Sequence, residues 1–230
     1  MALIILNEKK YSYQVVKKSI SSIRLRLKSS RSFIISCPRL TPQFIINNFI
    51  KSNQEWIVSH SRKISPKKSI KNFKKISILD KDYQLIFTKT QSDSVLAFEA
   101  DQKIYVNISK DSNLHIKKVL EKKLRPLALS LIKRELLLLK DEFGFDYQHV
   151  TVRNQSSRFG SCSSRGNLNF NWQIIFFPVP QFRHILLHEL NHLKIKNHSK
   201  TFWDQLAVYD PHSKSNNLWL KKEGTKLFLF

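Results

Sequence analysis

Cysteine is scarce in this chain: Cys37 and Cys162 lie far apart in 230 residues, which excludes a disulfide framework. No run of 18 apolar residues occurs, so no membrane-spanning helix is expected. The opening residues Met1 to Glu8 carry a short apolar patch with neither a basic leader nor a small-residue cleavage site. No secretory signal is therefore read, and the cytoplasm is the expected compartment. Glycine is limited to four positions while Lys, Ile, Asn and Ser abound, as in a chain encoded by AT-rich DNA. No internal repeat is read, and no low-complexity segment beyond one Lys-rich stretch.

Acidic residues are also few. Seventeen Asp and Glu oppose 40 Lys and Arg, a net charge of +23. Two stretches carry bases without any acid: Lys17 to Arg31 holds six, and His60 to Lys75 holds seven Lys or Arg. Such a balance suits a polyanionic partner, and weak, sequence-independent binding of nucleic acid is the expectation. The face expected to carry it combines Arg24, Arg26 and Lys28 with Lys67, Lys68, Lys71, Lys74 and Lys75. AT-rich coding accounts for the lysines equally well, since charge alone names no site.

The chain reads as an α+β protein in three parts: N-terminal strands and a helix over 1–63, a basic linker over 64–75, and a larger domain over 76–230. In Ile23 to Lys28 apolar and basic residues alternate, the mark of a half-buried strand. Phe33 to Cys37 is another. Thr41-Pro42 opens one helix expected to run to about Arg62, with Phe44, Ile45, Phe49, Ile50, Trp56 and Ile57 as its apolar stripe. Four short strands follow, over 76–79, 83–88, 95–99 and 104–108. A long helix then runs from about Leu114 to Phe143, kinked or split near Pro126 and closed by Gly144. Leu136 to Leu139 reads as core. The last third offers a strand over 149–153, a loop over 156–166, a strand over 167–177 and a helix from about Gln181 to Lys196 or Asn197. Short helices over 200–208 and 216–223 complete it.

The helix from about Gln181 carries His188-Glu189-Leu190-Asn191-His192, and His198 follows. Positions i and i+4 share a helix face, so His188 and His192 can meet one metal ion. Glu189 can reach a water at that metal without being a ligand. His198 can supply a third nitrogen and leave a fourth place open, the arrangement of catalytic rather than structural zinc. No cysteine lies within the cluster. Two histidines and a glutamate on one apolar helix are costly to bury without a shared purpose.

Further residues extend the pattern. Arg158-Phe159-Gly160-Ser161-Cys162-Ser163, Gly166, Leu168-Asn169-Phe170-Asn171-Trp172, Pro178, the histidine motif, Asn197-His198-Ser199 and Phe202-Trp203 together resemble the YgjP-like metallopeptidases. The resemblance covers residues 148–220, with Phe159 where that family usually has Trp and Asn191 where it has Ala. It implies a zincin-like α+β fold with a small antiparallel sheet beside the metal helix. It implies His188, His192 and His198 as ligands of Zn2+, Glu189 as catalytic acid/base, and distant kinship with the SprT-like and WLM proteases. Peptide or protein substrates follow, bound by pairing with the strand around Leu168 to Trp172. Arg158, Asn169 and Asn171 are the candidate substrate-binding side chains. Two other classes stay open: a basic, nucleic-acid-associated metal-binding module, and a hydrolase of a non-peptide amide or ester.

Overall fold

The computed structural model describes residues 2–62, 70–98, 101–155 and 158–228. The chain divides into two compact units, Met1–Lys68 and Ser69–Phe230. Of the expected linker, residues 64–69 lie outside the described residues, Lys67 and Lys68 among them. Residues 70–75 belong to the second unit, where a 3-10 turn over Ile70–Asn72 buries Ile70.

The first unit opens with strands β1 (Ala2–Leu6), β2 (Lys9–Lys18), β3 (Arg24–Ser29) and β4 (Ser32–Pro38). They form one sheet in the order β1-β2-β4-β3, with β2 and β4 parallel and the outer pairs antiparallel. Alternate residues face inward, so Tyr11, Phe33, Ile35 and Cys37 make a core with Ile46, Ile50 and Ile57 from the helices that follow. Each such side chain contributes about 1.5–3 kcal/mol by leaving water. The single helix expected over 42–62 is two helices, α1 (Gln43–Ser52) and α2 (Gln54–Arg62). The break falls at Asn53, whose side-chain amide donates to the Phe49 carbonyl and so competes with helix propagation. The break also shifts the apolar stripe. Ile46, Ile50, Ile57 and Val58 are buried, while Phe44 and Trp56 are exposed.

The second unit begins with the same construction. Strands β5 (Lys75–Ile78), β6 (Lys81–Lys89), β7 (Ser94–Phe98) and β8 (Lys103–Ile108) pair in the order β5-β6-β8-β7, again with only the central pair parallel. The first hairpin of each sheet turns on two residues with positive φ, Asn7-Glu8 in one and Leu79-Asp80 in the other. Such a pair matches the right-handed twist of the flanking strands. Tyr11 and Tyr83 hold equivalent buried places, paired with Ile4 and Ile76. The fold therefore contains a topological repeat that the sequence does not display.

Helix α3 (Asn113–Phe143) crosses this second sheet. The Ser112 side chain accepts from the His115 amide at its start, and Gly144 ends it in the left-handed conformation at φ 69°. The helix is unbroken at Pro126, which lies on the exposed side where water can serve the freed carbonyl. Ile116, Leu120, Leu124, Ala128, Ile132, Leu136 and Leu139 form the buried stripe. Leu137 and Leu138, 56% and 53% exposed, lie outside it, so only half of the apolar run is core.

A second, three-stranded sheet stands beside the histidine helix. It comprises β9 (Val150–Arg153), β10 (Gly160–Cys162) and β11 (Leu168–Asn171), in the order β10-β11-β9. It is mixed, not antiparallel, because β11 runs parallel to β9. Strand β10 falls within the expected loop over 156–166. The strand expected over 167–177 stops at Asn171, where a fully buried 3-10 segment, Trp172–Phe176, takes over. Helices α4 (Val179–Asn191), α5 (Lys200–Tyr209) and α6 (Ser213–Glu223) follow. The protein is thus α+β. Among the described residues no helix is long and apolar enough to cross a membrane.

The two faces of α3 can be told apart by truncation. Leu136→Ala should cost about 2–5 kcal/mol in urea unfolding followed by circular dichroism. Leu137→Ala should change stability by no more than about 0.5 kcal/mol.

Candidate metal centre

Helix α4 starts two residues earlier than Gln181, because Pro180 sits in the first turn, where a missing N–H costs nothing. Its first amide, that of Val179, donates to the Asp80 carboxylate at 3.0 Å. Leu79 donates to the Ile175 carbonyl at 2.9 Å just before it. The hairpin turn of the second sheet therefore caps the helix that carries the histidines. The carboxylate also suits the positive end of the helix dipole. No local sequence signal could have revealed Asp80, which lies 99 residues from its partner.

The helix ends at Asn191, about one and a half turns short of the expected Lys196 or Asn197. Leu193 and Lys194 donate to the carbonyls three residues back, closing a tight turn that sends the chain toward His198. Asn191 is fully buried and donates to the Phe202 carbonyl at 2.9 Å, tying the helix end to α5.

His188, His192 and His198 come together as a result. One ligand atom from each lies within 4.8 Å of the other two, and Nε2 of His188 and Nε2 of His198 are 3.0 Å apart. Three nitrogens on a tetrahedral zinc at about 2.0–2.1 Å would stand near 3.3 Å from one another, close to the His188–His198 separation. The Ile195 carbonyl takes the Nδ1 proton of His192 at 2.9 Å, which leaves Nε2 with a free lone pair. Burial, then the neighbouring imidazoles, hold the His188 pKa down to about 3. His198 is lowered too, by burial and by His192. Both rings are therefore neutral, the state in which imidazole binds metal. Phe202 is fully buried beneath all three, its ring centre 4.9, 4.6 and 4.9 Å from those of His188, His192 and His198. Trp203 is only half-buried and stacks on His198 at 5.8 Å.

Glu189 is buried beside the triad, and burial raises its pKa to about 7 against the opposing pull of Arg158. The backbone of β10 runs hard against it. A Cβ at Gly160 would lie 2.7 Å from Glu189 Cγ and 2.8 Å from Oε1, so only glycine allows this approach. Glu189, the three histidines, Arg158 and Gly160 to Cys162 line one cleft of about 420 Å³. The Cys162 thiol is half-buried in its wall and burial raises its pKa, so it stays protonated.

His184 also lines this cleft, one turn before His188. Its Nδ1 meets the Asp210 carboxylate at 2.6 Å, Asn216 donates to the same carboxylate at 3.1 Å, and Gln181 donates to Asn216 at 2.9 Å. This buried polar chain braces α4 against α6 and the turn before it. Sequence reasoning assigned His184 no role.

The three candidate substrate-binding residues part company. Arg158 lies in the cleft. Asn169 lies in an adjoining groove and accepts from the Thr151 hydroxyl at 3.0 Å. Asn171 is fully buried: its amide donates to the Gln155 and Arg158 carbonyls and its oxygen accepts from the Gln173 amide. It holds the loop that presents Arg158 and is not placed to touch a substrate. Strand β11 is likewise no edge, being central in its sheet; the edge strand beside α4 is β10.

A family model described as YgjP-like, metallopeptidase domain, matches residues 21–223. No curated protein matches the chain. Among solved structures, the metallopeptidase zymogen of Methanocaldococcus jannaschii jannalysin is 22% identical over 40% of this chain and 95% of that one, with a TM-score of 0.36. The metallopeptidase zymogen of Pyrococcus abyssi abylysin is 23% identical over 40% of this chain and 93% of that one, with a TM-score of 0.35.

The contact between β10 and Glu189 makes a measurable claim. Gly160→Ala should destabilise the protein by about 1–3 kcal/mol, the usual cost of overpacking, read as a lowered urea midpoint. An unchanged midpoint would show that the glutamate can swing away freely.

Proposed function

We propose, from the premise that this chain belongs to the YgjP-like metallopeptidase family, that it hydrolyses peptide bonds with one zinc ion held by His188, His192 and His198. The observation that carries this reading is the meeting of three imidazole nitrogens beside a buried carboxylate in one cleft. Three imidazole nitrogens without a thiolate suit a catalytic ion that keeps one place for water or substrate. A zinc ion held there would supply a Lewis acid for the scissile carbonyl and lower the pKa of the attacking water.

The chain's own groups do the rest. Glu189 takes a proton from the water on a carboxylate oxygen and returns it to the leaving amine. A carboxyl group held near neutrality by burial is suited to both halves of that transfer. Ile195 keeps the His192 ring in one tautomer, and Phe202 keeps the three rings from turning. An extended peptide adds to the free side of β10, the edge strand that lies against α4, and so crosses the cleft in front of Glu189. This supports a peptide over a small amide or ester. Arg158 is placed to steady a carboxylate or a developing negative charge on the carbonyl oxygen.

Elemental analysis together with digestion of a peptide library tests the reading. One zinc per chain and cleavage that a chelator abolishes are the expected results. Glu189→Gln should keep the zinc and lose at least about 100-fold in kcat; zinc-replete variant with wild-type turnover would remove Glu189 from the mechanism. His198→Ala should lower the zinc content measured after dialysis, and retention of a full equivalent would take His198 out of the ligand set.

A further inference from the structure

The two four-stranded sheets share a topology, so each is a control for the other's surface. The inner faces are alike in kind, with apolar side chains packed on helices. The outer faces differ. On β3 the residues facing away from the core are Arg24, Arg26 and Lys28, all exposed and without an acid among them. Arg24 pairs with Ser36 and Arg26 with Ile34 in the sheet register. The equivalent places in the second sheet, opposite Asn107 and Tyr105, are Ser94 and Leu96. The fold therefore does not demand cations there.

Nor does a uniform coding bias account for them. Residues 1–68 hold 14 Lys and Arg against two acids, Glu8 and Glu55, whereas residues 69–230 hold 26 against 15. A bias toward lysine codons adds bases everywhere; it does not clear acids from one unit. The basic surface expected from the sequence also divides. In the second unit Lys74 is exposed, while Lys71 and Lys75 are paired with Asp111 at 2.5 Å and Asp82 at 2.6 Å. The paired two carry little free charge to a partner, unlike the stripe on β3.

We propose that the outer face of the β1–β4 sheet binds the phosphate backbone of nucleic acid without reading its sequence. Lys10 and Lys18 on β2 face the same way as the β3 stripe and are exposed. Between them the central rows each carry a polar group: Ser12 beside Ser32, Gln14 beside Ile34, and Val16 beside Ser36. Hydroxyl and amide groups of this kind donate to phosphate oxygens. The face holds no aromatic side chain, since Tyr11, Tyr13 and Phe33 belong to the inner core, so bases have nothing to stack on. Alternate residues of a strand recur about every 7 Å, and a duplex presents a charge about every 1.7 Å along its axis. Each cation thus finds a phosphate in any register, which is the geometry of non-specific binding. An anionic membrane would also attract the cations, but it needs a continuous apolar wedge. The large exposed apolar residues of this face, Leu3 and Ile5, stand on β1, at the opposite edge from the stripe.

The test is fluorescence anisotropy of the full, zinc-supplemented chain on a labelled random-sequence duplex of 20 base pairs, at several salt concentrations. Five cations on the face predict a log–log salt slope of about −4 to −5, a loss of several hundredfold in affinity between 50 and 200 mM salt. The triple variant Arg24→Gln, Arg26→Gln, Lys28→Gln changes only exposed side chains. It should bind at least about tenfold more weakly, with a slope shallower by about three, and keep its circular dichroism spectrum. Lys118→Gln, Lys122→Gln, Lys133→Gln removes the same charge from the exposed side of α3 and should weaken binding less than about threefold. No binding at 50 mM salt overturns the proposal, and so does equal weakening by the two triple variants. Capture on phosphatidylserine vesicles without binding to the duplex overturns it in favour of a lipid surface.

Discussion

Three imidazoles, of His188, His192 and His198, reach one point, and much of the architecture of the second unit serves that convergence. A helix supplies two of them at no extra cost, because His188 and His192 fall on one face of α4. The third must come from outside the helix, and it arrives only because α4 stops at Asn191 and the chain turns back through Leu193 and Lys194. Phe202 fills the space under all three rings, and Asn191 fixes the distance between the helix end and the segment that carries Phe202. Desolvation, a penalty for charged histidine, holds His188 and His198 in the neutral form.

The position of the triad is set by elements drawn from the length of the second unit. Asp80 and Leu79 hold the start of α4, from a hairpin turn nearly a hundred residues upstream. His184, Asp210, Asn216 and Gln181 brace its middle through a buried polar chain whose members satisfy one another, as burial requires. On the remaining side, the bare backbone at Gly160 lets β10 close on Glu189, and Asn171 holds the loop from which β10 emerges. The cleft is therefore walled by a strand edge, floored by a helix and limited at one end by the His198 turn.

The chemistry was legible in the sequence because it is local. His188, Glu189 and His192 declare themselves by spacing, and His198 by its short distance beyond them. Strand β3 showed in its alternating apolar residues, β4 to β8 as short apolar stretches, and the end of α3 in its Gly144 stop. What escaped depends on partners distant in sequence. β10 is three residues of intermediate burial, too short for any alternation. Asn171 looks like a polar group offered to a substrate, yet its amide is spent on the backbone of its own loop. The early end of α4 turns on the bond from Asn191 to Phe202, and the break at Asn53 on a side chain that outcompetes the next helical turn. The topological repeat left almost no trace, because a sheet asks only for apolar residues at alternate places and accepts many.

That repeat has a bearing on how the chain folds. Two hairpins with the same turn and the same pairing pattern, on one polypeptide, are candidates for exchange: a strand of the first sheet could zip into the second before its proper partner is made. Synthesis order helps, since the first module is complete while the second is still emerging. Composition helps as well. Edge strand β3, charged at every second position, is a poor mate for a copy of itself on another molecule, because like charges would be brought face to face. The basic residues of β3 thus carry a second meaning, as a bar to edge-to-edge pairing of copies in a protein that builds one sheet design twice.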